Sequence, residues 1–168
     1  MRNHEQRMNK EAAKRRVRGQ AMVEVALMSP WIFFLFIGVL SFGFFSYAAI
    51  CTQNAARSAA LANAATGGAN NSAACTIAIN EMNSLPNTRS ISSCNVGTCP
   101  STTGSVTDSE PLAVTSCAVA GPDGLPAVRV ILTYRTLQMI PIPGALAGKF
   151  DITRTVDAPI LSIIPGAS

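Results

Sequence analysis

Charge is missing from the longest stretch of this chain. From Val25 to Ala56 there is no Asp, Glu, Lys or Arg, and Trp31–Phe45 is almost wholly Phe, Leu, Ile, Val and Gly. Thirty-two uncharged residues make a helix about 48 Å long at about 1.5 Å per residue, against about 30 Å for the hydrocarbon core of a bilayer. The run therefore predicts one membrane span that continues beyond the bilayer, in preference to a buried core helix of a soluble domain. Histidine is nearly absent too: His4 is the only one. No nucleophile elbow or phosphate loop is present, and Glu81, Asp108, Glu110, Asp123, Asp151 and Asp157 fall into no helical pairing. The sequence thus offers no catalytic residue and no cofactor or metal site, and it predicts a protein that is not an enzyme.

What charge there is lies unevenly. Arg2, Arg7, Lys10, Lys14, Arg15, Arg16 and Arg18 crowd the first eighteen residues, opposed only by Glu5 and Glu11. Without residues 1–19 the chain holds six basic and seven acidic side chains, so the overall excess of positive charge does not mark a nucleic-acid surface. Basic residues flank the cytoplasmic end of a span, which predicts a cytoplasmic N-terminus and an exterior remainder.

Five cysteines complete the inventory. Cys51 falls in the helix near its outer end and is expected to stay free. Cys75, Cys94, Cys99 and Cys117 form an even set in a small exported domain, which reads as two disulfides with three possible connectivities. Zinc fits poorly, because the four-residue gap from Cys94 to Cys99 with two distant cysteines matches no common ligand spacing. The favoured pairing is Cys94–Cys99 around Val96-Gly97, with Cys75–Cys117 tying a helix to a sheet.

Along the chain, residues 1–19 form a basic cytoplasmic leader and residues 20–66 a transmembrane and stalk helix. Residues 67–168 form a small disulfide-containing exterior domain. Pro30 is expected to kink the helix or to cost one helical hydrogen bond, since proline has no N–H. The outer helix, Gln53–Ala65, is dominated by alanine, which suits close packing against copies of itself or relatives. Gly67-Gly68 and Asn70-Asn71 break it. Cys75–Leu85 is expected to be a short second helix. Leu112–Val119, Val128–Tyr134 and Phe150–Val156 read as strands, with a turn at Gly121–Gly124. Leu137–Gly148 is an apolar Pro/Gly loop. The predicted fold class is α+β: a long N-terminal helix, then an antiparallel sheet with a short helix.

The most informative segment is Arg18-Gly19-Gln20-Ala21-Met22-Val23-Glu24, a basic leader ending in glycine with a carboxylate at the edge of the apolar run. An acid at that depth is costly and marks function. This arrangement resembles type IV prepilin-like proteins, and among them the TadE-like pseudopilins of the tight-adherence (Tad) pilus. Pro30, the Gln53–Arg57 segment (Gln-Asn-Ala-Ala-Arg) and, loosely, Val128–Val156 extend the likeness, whereas Thr66–Val119 shows none. Val25 stands where many relatives have an aromatic residue. The resemblance implies cleavage between Gly19 and Gln20 by a prepilin peptidase, with Glu24 as the fifth residue of the mature chain and the charge used in assembly. It also implies a bacterial inner-membrane location, partnership with other pilins and the inner-membrane assembly platform, and a role in surface adhesion.

Two other readings of the residues remain open. An uncleaved signal anchor would display a periplasmic or surface ligand-binding domain. A signal peptide cut after Ser46-Tyr47-Ala48 would release a secreted protein, whereas a lipoprotein box at Cys51 fails on the bulky Ile50. The N-terminus of the mature protein, read by mass spectrometry, separates them: Gln20 for the peptidase product, Ala49 for the secreted protein, Met1 for the anchor. A Gly19→Leu chain is expected to retain its leader, and a wild-type chain that also retains it would remove the cleavage site.

Overall fold

The first helix, α1, runs without interruption from Arg2 to Ala65 and passes through Pro30. The computed structural model describes residues 2–99, 104–137 and 149–160, with side chains from Met22 onward. The helix starts well before the expected Gln20. The reason is compositional: Glu, Gln, Met, Lys, Arg and Ala dominate residues 5–16, and all are strong helix formers.

Two compact units divide the chain, residues 1–43 and 44–168. In the first, every side chain from Met22 to Phe36 is exposed, with no polar face. A helix apolar all round suits lipid or other helices, not water.

In the second unit the helix becomes one-sided. Ala48, Thr52, Ala55, Ala56, Ala59, Ala60, Asn63 and Ala64 are buried at three- and four-residue spacing, while Ile50, Gln53, Asn54, Arg57 and Leu61 are exposed. The alanine stripe therefore packs within this chain rather than only against copies, as the sequence had suggested. It joins one core with Leu112, Val114, Val128, Val130, Leu132, Tyr134 and Ile152 of the sheet.

A glycine ends α1. Gly67 takes φ +79°, its N–H donates to Ala64 O at 3.1 Å, and the Gly68 N–H donates to Asn63 O at 3.2 Å. These two bonds are the Schellman closure of a helix C-terminus. The chain then re-enters helix at α2, Asn71–Met82, four residues earlier than the expected start at Cys75. Asn70 is the cause: its side chain accepts from Ala73 N–H at 3.1 Å and caps the helix.

Four strands follow: β1 (Asn95–Val96), β2 (Leu112–Ala120), β3 (Pro126–Arg135) and β4 (Asp151–Pro159), in the order β1-β2-β3-β4. The β2–β3 and β3–β4 ladders are antiparallel, but β1 runs parallel to β2, with Asn95 beside Ala113 and Val96 beside Val114. The sheet is thus mixed, not purely antiparallel. The stretch from Gly97 to Pro111 returns the chain so that β2 starts in the same direction as β1, and a parallel neighbour requires such a crossover. The β2–β3 turn closes through Gly121 N–H to Leu125 O at 2.7 Å, with Gly124 at φ +76°. Of the apolar loop Leu137–Gly148, residues 138–148 lie outside the described residues.

The Gly67 closure yields a clean comparison. An L side chain in the left-handed region costs about 1–2 kcal/mol, so Gly67→Ala should lower unfolding stability by about that amount. Gly68→Ala, which meets no atom within 4 Å and has an ordinary φ, should be near neutral. Thermal melts of both full chains in detergent check the difference.

Candidate functional site

Two regions bear on function: the Arg18–Glu24 stretch of α1, and the surface and covalent ties of the unit from residue 44. At Gly19 and Gln20 the backbone is helical, so the expected cleavage position sits inside α1 and not at its start. Glu24 is exposed, and none of the described residues forms an ion pair with it. From Met22 to Ala65 the helix is long and apolar enough to cross a membrane, and none of its most apolar stretch is buried.

The Gln53–Arg57 segment divides by side. Ala55 and Ala56 enter the core, while Gln53, Asn54 and Arg57 face out. Gln53 and Asn54, with Ala49, Ile50 and Arg154, line a shallow groove of about 310 Å³.

Disulfides join Cys75 to Cys94 and Cys99 to Cys117, each with Cα atoms 5.8 Å apart, and Cys51 is free and half-buried. The favoured Cys94–Cys99 and Cys75–Cys117 pairing is therefore corrected. Strand β1 lies between Cys94 and Cys99 and draws them apart. Its register then does the rest, because Val96 pairs with Val114 and the same offset carries Cys99 to Cys117. Gly97 N–H donates to Thr115 Oγ1 at 3.0 Å, continuing the alignment between them. The other bridge ties α2 to the residue before β1.

The TadE-like protein family model matches residues 19–61. Over that stretch α1 is similar to the family. No curated protein and no solved structure gives a match. The TadE-like segment starts at Gly19 and takes in Gln20, Glu24, Pro30 and Gln53–Arg57, the residues on which the resemblance was drawn. It ends inside the buried alanine stripe, so α2 and the sheet lie beyond it, and Arg18 and the looser likeness over Val128–Val156 fall outside the match.

Outside the matched segment, two arginines of β3 pair with aspartates of β4. Arg129 reaches both oxygens of Asp157 at 2.7 Å, and Arg135 reaches those of Asp151 at 2.8 and 2.9 Å. These guanidinium hydrogen bonds hold both carboxyl groups below the usual range. Lys149 Nζ lies 2.6 Å from Asp108 Oδ2 and lowers its pKa in the same way. Among the described residues no group of three His, Cys, Asp or Glu side chains is placed to hold a metal ion.

Sequence reasoning missed an asparagine network that fixes α1 to the rest of its unit. Asn63 Nδ2 donates to Asn70 O at 3.0 Å and to Ser116 Oγ at 2.7 Å, and the Ser116 N–H donates to Asn71 Oδ1 at 2.6 Å. The available signal was one amide within an alanine stripe, since a buried polar group must find partners.

Each bridge closes a loop of 18 or 19 residues, a constraint of about 3 kcal/mol in the chain-entropy model. Peptide mapping of unreduced, alkylated protein should recover Cys75 linked to Cys94 and Cys99 linked to Cys117, with only Cys51 labelled. A Cys94–Cys99 linked peptide would contradict the β1 register.

Proposed function

We propose that this chain is a minor pilin or pseudopilin of a Tad-type pilus, cleaved by a prepilin peptidase after Gly19 and contributing to pilus assembly and surface adhesion. The observation that carries the reading is the TadE-like match over residues 19–61, which covers the glycine, the glutamate and the whole apolar run. The role is structural: the long exposed helix supplies an anchor before assembly and a packing surface during it. Its partners on this reading are the peptidase, the inner-membrane assembly platform and other pilins. The N-terminus is cytoplasmic and the unit from residue 44 is largely exterior, in line with the charge asymmetry around the span.

Glu24 has a definite task in this scheme. Cleavage gives Gln20 an α-amino group that is positively charged near neutral pH. A positive charge at a helix N-terminus opposes the macrodipole. Glu24 lies four residues on, about one turn away on the same face. Its carboxylate neutralises that amine, on its own chain or on a neighbour as helices stack. In an apolar setting an unpaired charge is expensive, so pairing favours one axial register over others.

Glu24→Ala protein is therefore expected to insert in the membrane and to begin at Gln20, yet to lose association with its pilin partners. Crosslinking or co-purification, beside N-terminal mapping of the same sample, gives the readout. Cleaved Glu24→Ala protein that still associates normally would remove Glu24 from the mechanism.

A further inference from the structure

Where α1 enters the unit of residues 44–168, an aromatic cluster faces outward. Phe45 and Phe150 meet edge to face, with ring centroids 6.1 Å apart, and they are 41% and 53% exposed. Tyr47 is also exposed and donates its hydroxyl to Ser84 Oγ at 2.9 Å. Phe150 is held firmly: its N–H donates to Thr136 Oγ1 and its carbonyl accepts from Thr136 N–H, both at 2.9 Å. The ring thus belongs to the end of the β3–β4 ladder.

Counting along the chain gives the depth of this cluster. Glu24 is the last charge before the apolar run, and about 20 residues of helix fill the hydrocarbon core. That count ends at Phe44. Phe45 and Tyr47 then fall at the headgroup level, where amphipathic aromatic rings gather, and Phe150 is fixed beside Phe45. The nearby cations are already neutralised, Lys149 by Asp108 and Arg135 by Asp151. Among the described residues, what this end offers an outside partner is apolar ring surface, and the bilayer is the partner the chain itself brings within reach.

We propose that the Phe45–Phe150 end of this unit rests on the bilayer, with Phe150 inserted among the lipid headgroups. The inference rests on α1 crossing a membrane, as in the function proposed above. The β2–β3 hairpin, with exposed Leu125, stands at the opposite end of β3, about 30 Å away for a strand of this length.

The test uses the full chain in phosphatidylcholine vesicles with its single tryptophan, Trp31, replaced as Trp31→Phe. In that background Phe150→Trp is expected to give blue-shifted emission quenched by phosphatidylcholine brominated near the headgroup end of its acyl chains. Leu125→Trp is expected to be quenched by aqueous iodide instead. Flotation with the vesicles comes first, and a chain that fails to float overturns the anchor and this inference together. A floating chain whose residue-150 tryptophan is quenched by iodide and not by bromine overturns this inference alone. Shielding from both quenchers also overturns it, because protein and not lipid would then cover the ring. If Phe150→Trp does not form both disulfides, Leu137→Trp, next to Thr136 on the same ladder end, decides by the same criteria.

Discussion

What α1 gives to the core it shares with the sheet is mostly methyl groups. Ala48, Ala55, Ala56, Ala59, Ala60 and Ala64 share one core with the strand residues. The large buried side chains come from elsewhere: Tyr134, Leu112 and Leu132 from the sheet, Met82 and Leu85 from the end of α2 and the turn after it. A fully buried leucine contributes about 1.5–3 kcal/mol, and an alanine far less. The helix therefore supplies the shape of this core more than its energy.

That division explains why so much of the unit is tied by other means. Thr52 enters the stripe with its hydroxyl donated to Ala48 O at 2.7 Å, and Asn63 enters it with both amide donors engaged. The Tyr134 hydroxyl donates to Asn87 Oδ1, while Asn87 Nδ2 donates to Arg135 O at 2.9 Å, and burial pushes the phenol pKa up to about 12. Covalent bridges then fix α2 and the β1 edge, where apolar burial alone is thin for a domain this small. Gly104 shows how close that edge lies: a Cβ there would come within 2.9 Å of Ala113 Cβ.

Much of this was legible before any coordinates. Leu112–Val119 and Val128–Tyr134 differ from β2 and β3 by two residues or fewer at any end, because strand alternation and the Gly121–Gly124 turn give them sharp edges. The apolar run and the Gly19–Glu24 segment were equally plain. The alanine stripe was not, since methyl groups serve contact with a neighbouring chain and contact with one's own sheet equally well. Strand β1 is two residues long and carries no periodicity, and the disulfide pairing depended on its register. The leader's helix was less plain, because crowded charge marks a cytoplasmic flank as readily as a helix, although its residue types favour helix throughout.

The asparagine tie between α1 and the sheet spans 53 residues of sequence, and it sets an order of events during synthesis. The helix that lines the core is made first and must wait for β2, β3 and β4 before it has anything to pack against. Such non-local closure is slow compared with helix formation. A waiting helix lined with leucine or phenylalanine would expose a sticky face through that delay, the usual start of misassembly. One lined with alanine exposes little. The composition that weakens the finished core thus protects the unfinished one.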